Sequence, residues 1–132
     1  MFAGLIGLFG TGAMFSPNPA VIAVQVAAVA LMIWARITFG LRSFHATANP
    51  TEGGLVTTGP YAHVRHPIYT AVCLFTAAAV AAHLSWTSAV FALLVVAGSC
   101  VRIVLEERML RERYPGYAAY ATRTKRMVPY VF

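Results

Sequence analysis

Aspartate is absent from this 132-residue chain, and the acids are four: Glu52, Glu106, Glu107 and Glu112. Charged residues of both signs make up 11% of the sequence, against roughly 25% in soluble domains. With 59% hydrophobic residues and a mean hydropathy of +0.70, a soluble globule of this length could not hide its apolar surface. Cysteine is scarce as well. Cys73 and Cys100 both lie inside apolar runs, which excludes a disulfide framework and gives neither thiol an activating environment. The length leaves room for one domain, taken as residues 1–132.

The charge that is present has mostly one sign. Ten Arg and Lys give a formal net charge of +6, and all of them lie between Arg36 and Arg65 or between Arg102 and Arg126. No basic groove interleaved with stacking aromatics accompanies them, so nucleic acid is not the expected partner. Anionic membrane lipids account for them better.

Four apolar segments stand between the polar ones. Phe2–Phe15 is thinned by glycines, and Ala20–Ala35 contains one polar residue, Gln25. The run from Ile68 to Leu105 is broken at His83-Leu84-Ser85-Trp86. At about 1.5 Å per residue it is far too long for one ~30 Å hydrocarbon core, so it folds back as a helical hairpin. The expected fold is an all-α integral membrane protein with about four transmembrane helices, near residues 2–15, 20–41, 68–83 and 86–106. A C-terminal cytoplasmic or interfacial helix follows in the tail 107–132. The first segment lacks a basic n-region and an Ala-x-Ala cleavage site, and reads as a retained span. It is short, which leaves open whether it fully spans and whether a homodimer partner completes it.

The turns Ser16–Pro19 and His83–Trp86 carry no cation, whereas both other polar stretches do. Four spans then place both termini on the cytoplasmic side. In the tail, Tyr114, Tyr117 and Tyr120 recur at spacing three around the Pro115-Gly116 break, ahead of Arg123, Lys125 and Arg126. That pattern fits an amphipathic interfacial helix with tyrosines at headgroup depth, and is compatible with a second role as the lid of a site.

Two clusters carry chemistry. In the segment from Gly53 to Tyr69, glycines allow close backbone approach, and Pro67 suits the first turn of a helix. Arg65 and His66 stand at that helix N-terminus, where an anionic group is welcome; headgroup anchoring explains them equally well from the residues alone. His63 and His66 lack a third ligand nearby, so no metal site is expected. His45 and His83 are isolated. Arg102 and Glu106 are four apart on one helix face, with Glu107 beside them. A helix-stabilising ion pair is the plain account; a Glu retained beside hydrocarbon favours a site. The hairpin brings both clusters to the cytoplasmic side.

These residues carry a family resemblance. Leu55-Val56-Thr57-Thr58-Gly59-Pro60-Tyr61, Arg65-His66-Pro67-Ile68-Tyr69, and Glu106-Glu107 followed by Leu110, Tyr117, Tyr120 and Pro129 resemble the isoprenylcysteine carboxyl methyltransferase family. Phospholipid N-methyltransferases share its core. The resemblance runs from about Trp34 to Phe132. It implies a helical membrane bundle whose cytoplasmic half binds S-adenosylmethionine, releasing S-adenosylhomocysteine, and admits a lipid-like or isoprenoid acceptor from the bilayer. Carried over by position, Gly54, Leu55 and Val56 line the cofactor pocket. Tyr61, His66, Pro67 and Tyr69 hold its adenosine and methionine parts, and Glu106 pairs with its amino group. Arg102 is the catalytic residue facing the acceptor, able to steer a carboxylate.

A carboxylate or thiolate acceptor needs no base, whereas an amine would need His66 or Glu107 to take a proton. The single Arg tilts the choice towards a carboxylate. Residues 45–52 do not match the eukaryotic enzymes in detail, so cofactor contacts within 42–52 are unassigned. The chain also has fewer spans than those enzymes. Two other classes compete. Sterol-reductase-like NADPH oxidoreductases share a Gly-Pro-Tyr…Arg-His-Pro…Tyr pattern, but typically have Asn at the position of Ile68 and a much larger body. A non-catalytic membrane adaptor would be expected to have lost Glu106 or His66.

Overall fold

A computed structural model describes residues 1–40 and 54–128. Arg42, Glu52 and Gly53, the unassigned 42–52 segment and the tail from Pro129 onward lie outside the described residues. The elements are α1 (Phe2–Gly10), α2 (Pro19–Phe39), a 3₁₀ turn (Gly59–Ala62), α3 (Pro67–Ala82), α4 (Trp86–Arg113) and α5 (Tyr117–Arg123). Among the described residues there is no strand, only an isolated parallel bridge between Val64 and Lys125.

Each boundary has a local cause. α1 ends where the N–H groups of Thr11 and Gly12 donate back to the Gly7 and Phe9 carbonyls, and Gly12 takes φ +70°, which a side chain disfavours. α2 opens on Pro19 with the Asn18 side chain accepting from Ala20 N–H. The α3–α4 break falls as expected: Ser85 and Ser88 close a reciprocal capping box at the start of α4. Tyr114, Pro115 and Gly116 end α4.

The expectation of four spans is corrected. Two helices, α2 with 21 residues and α4 with 28, are long and apolar enough to cross a membrane. α3 has 16 residues, and α1 has nine because its helix stops at Gly10, not Phe15. At about 1.5 Å per residue, α1 covers less than half of a ~30 Å core.

α2 packs on α3, α3 on α4, and α4 on α1. Many of the buried positions are small or polar: Ala28 and Ala35 on α2, Ala71, Thr76, Ala78 and Ala79 on α3, Ser88 and Ser99 on α4, with Leu8, Tyr69, Val95 and Ile103 the larger ones. The exposed ones are large and apolar, including Ile22, Val26, Ile33 and Ile37 on α2 and Leu93, Val101, Val104 and Leu105 on α4. Water would select the reverse, whereas helices in an apolar solvent associate through small residues and polar contacts. Close packing shows at Gly4, where an added Cβ would lie 2.5 Å from the Phe91 carbonyl oxygen, and at Gly98, where one would lie closer still to the Met1 backbone nitrogen. Gln25 donates to the Met14 carbonyl at 2.8 Å, whereas the buried Thr76 hydroxyl has no hydrogen-bond partner among the described residues. His83 Nε2 lies 2.7 Å from the Phe15 carbonyl and ties the two uncharged turns together.

Candidate functional site

α3 and α4 run antiparallel, so successive residues of one meet successive residues of the other. Cys73 Sγ faces Ser99 Oγ at 3.8 Å, Tyr69 meets Arg102 and Glu106 one turn on, and His66 meets Glu106 and Glu107 beyond that. The inward face of α4 carries Val95, Ser99, Ile103 and Glu107, spaced four apart. The apolar contacts of the hairpin therefore give way to charged ones at a single end.

His66 sits between two carboxylates. Its Nδ1 is 3.7 Å from Glu106 Oε2, and its Nε2 is 3.5 Å from Glu107 Oε1. Geometrically Nε2 makes no hydrogen bond among the described residues, but at this distance it still favours the charged form of Glu107. Tyr69 donates its hydroxyl to Glu106 Oε1 at 2.5 Å and accepts from Arg102 Nε at 3.0 Å. Glu106 keeps about a quarter of its side chain exposed, whereas Glu107 is buried.

A buried carboxylate is costly unless paired, and Glu107 is paired several times over. Arg65 Nε donates to Oε1 at 2.9 Å, Arg126 Nη2 to Oε2 at 3.2 Å, and Arg111 Nη2 approaches Oε2 at 4.0 Å. Burial alone would raise the Glu107 carboxyl. The groups of His66, Arg126 and Arg65 outweigh it and hold the carboxyl well below the usual carboxylate range.

The tail folds over this end. Arg65 also donates to the carbonyls of Ala121 and Thr124, and the backbone N–H groups of Arg65 and His66 donate to the Lys125 and Arg126 carbonyls. Thr70 Oγ1 donates to the Met127 carbonyl at 2.8 Å. Tyr120 donates its hydroxyl to the Tyr61 carbonyl at 2.6 Å, and burial pushes that hydroxyl up to about 12. Tyr61 is buried against Phe39, with ring centroids 5.6 Å apart. This packing needs glycine at 59: φ is +57°, and a Cβ there would lie 2.7 Å from Thr38 Oγ1.

Of the residues expected from the sequence, His66, Tyr69, Arg102 and Glu106 meet directly. Pro67 is the first residue of α3, and Tyr61 is tied to the same end through Tyr120. Gly54, Leu55 and Val56 lie in the segment leading to the 3₁₀ turn, Gly54 exposed and the other two half-buried. The pairings described above do not run through them.

Two expectations are corrected. Arg126 and Arg111, read as orientation and lipid anchors, pair with Glu107. Tyr117, expected at headgroup depth, is about 1% exposed, with Arg111 over its ring. Its hydroxyl finds no hydrogen-bond partner among the described residues, and burial beside Glu107 raises its pKa. The clue in the sequence was the spacing of three between Tyr117 and Tyr120, which equally describes a face packed inward.

A family model described as the isoprenylcysteine carboxyl methyltransferase (ICMT) family matches residues 20–112. No curated protein matches. No solved structure matches.

Proposed function

The chain belongs to the isoprenylcysteine carboxyl methyltransferase family, and we propose that it is an S-adenosylmethionine-dependent enzyme acting on a membrane-partitioned acceptor. The acceptor is a carboxylate or thiol of an isoprenoid or lipid-like molecule. The observation that supports this reading is the convergence of His66, Tyr69, Arg102 and Glu106 at one end of the α3–α4 hairpin.

The donor set suits the cofactor. Glu106 is an oriented, partly exposed carboxylate, fitted to an ammonium group. The His66 ring beside Glu106 and the aromatic ring of Tyr61 suit the rest of the molecule, with Gly54, Leu55, Val56, Pro67 and Tyr69 completing the pocket. When bound, S-adenosylmethionine supplies an activated methyl group on a sulfonium. The protein's task is then alignment in a dry site.

Arg102, held by Tyr69, steers the anionic acceptor. Glu107 is ion-paired and held ionised far below neutrality, so it is a weak base. That removes Glu107 as the base an amine acceptor would need and leaves His66 alone for that task, whereas an acceptor that is already anionic needs neither. Membrane helices α2 and α4 would bring the acceptor in from the bilayer. The site lies on the cytoplasmic side, the side that the one-sided clustering of Arg and Lys favours.

A labelled-methyl assay with S-adenosylmethionine, offering total membrane lipids and small isoprenoid acids and thiols, tests this reading. Label in a lipid-soluble product is the expected result, alkali-labile if the acceptor is a carboxylate and alkali-stable if it is a thiol, since a methyl ester hydrolyses and a thioether does not. Transfer only to amine headgroups would overturn the acceptor class.

A further inference from the structure

We propose that Glu107 is a positioning residue that straps residues 124–127 across the start of α3 and thereby fixes His66 in the site. Among the described residues, the segment after α5 (124–128) forms no helix or sheet of its own beyond the bridge from Val64 to Lys125. Its place depends on a few contacts: the Arg65 and His66 N–H groups on the Lys125 and Arg126 carbonyls, Thr70 on the Met127 carbonyl, and Arg126 on Glu107. Thr124 and Met127 turn inward, and Met127 packs with Tyr69 and Ile103.

One carboxylate joins all three parts. Glu107 belongs to α4, takes Arg65 and faces His66 at the start of α3, and takes Arg126 from the strap. His66 is held twice by this arrangement, through its ring beside Glu107 and through its backbone N–H on the Arg126 carbonyl. Releasing the strap therefore frees the residue that stands beside Glu106. The strap follows from these contacts alone; its effect on ligand binding rests on the methyltransferase reading.

The test combines hydrogen exchange and kinetics on the full chain in detergent. Glu107→Gln keeps the shape and removes the charge. The amides of Arg65 and His66 should then exchange about tenfold faster or more, while those inside α2 keep their rates. KM for S-adenosylmethionine should rise about tenfold, with kcat changed less than about threefold. Arg126→Gln should reproduce both shifts, and Arg126→Lys should recover much of each. The Arg126 pair decides the matter alone if Glu107→Gln does not fold.

Unchanged exchange at residues 65 and 66 in the folded variants would overturn the proposal. So would equal acceleration throughout every helix, which marks a general structural role, or a fall in kcat at constant KM. A wild-type protein that neither binds nor uses S-adenosylmethionine would sink the methyltransferase reading, while exchange at residues 65 and 66 would still decide the strap.

Discussion

Arg102 Nε donates to the Tyr69 hydroxyl at 3.0 Å, and that hydroxyl donates onward to Glu106. One phenol thus orients both the cation assigned to the acceptor and the carboxylate assigned to the cofactor. Tyr69→Phe removes it while keeping the ring. A hydrogen bond to a charged group contributes about 1.5–3 kcal/mol. Steady-state kinetics should show kcat/KM for the acceptor falling at least about tenfold, with a smaller loss in cofactor affinity. Equal kinetics in the Phe variant would mean that the hydroxyl orients neither group.

The roles of Arg102 and Glu106 separate by substitution. Glu106→Ala should weaken cofactor binding about 30-fold or more, as expected when one partner of a charge pair is removed. Arg102→Ala should leave that binding within a few-fold and abolish turnover. Parallel loss of binding in both variants, measured by calorimetry, would contradict the division.

The tyrosines at the tail set an alkaline limit on stability. Burial raises the Tyr120 hydroxyl from 10.0 to about 12, and raises Tyr61 and Tyr117 as well. A raised pKa means the folded state holds its proton longer than the unfolded one. The contribution is therefore complete below pH 10.0 and disappears as pH rises towards about 12. Denaturant unfolding at stepped pH should show stability falling through that window. Tyr120→Phe should flatten the slope and cost about 1 kcal/mol at neutral pH, for the lost bond to the Tyr61 carbonyl.

Acid acts on the opposite sign. Glu107 is depressed below 4.5, so its contribution is present above that pH and is lost progressively as pH falls further. Glu107→Gln should remove part of the acid dependence of unfolding below pH 4.5. An unchanged acid limb would show that its ion pairs contribute nothing to stability.

Helix contact in the apolar part is tested at the glycines of α1. A Cβ at Gly4 meets the Phe91 carbonyl at 2.5 Å, whereas one at Gly10 meets nothing within 4 Å. Gly4→Ala should destabilise by about 1–3 kcal/mol, through overpacking. Gly10→Ala should change the thermal midpoint little, and a similar drop in both would point away from α1–α4 packing.

Much of this was legible in the sequence, for physical reasons that also mark where legibility stops. The hairpin break at residues 83–86 is visible because polar residues and a capping serine interrupt an apolar run. The meeting of His66 with Glu106 follows from the hairpin, since antiparallel helices pair residues in order. The partnership of Arg126 with Glu107 is not visible: the chain reverses at Pro115-Gly116, and no periodicity states which way the tail returns. The end of α1 at Gly10 was missed because Thr11-Gly12 sits inside a segment still apolar on average. The small-inside, large-outside pattern of α2 requires knowing which face is buried.

Calorimetric titration of S-adenosylhomocysteine into the detergent-purified protein, with NADPH as the parallel ligand, tests the central claim most directly. Saturable binding of S-adenosylhomocysteine, lost in Glu106→Ala, is the predicted result. Binding of NADPH with none of S-adenosylhomocysteine or S-adenosylmethionine would contradict it.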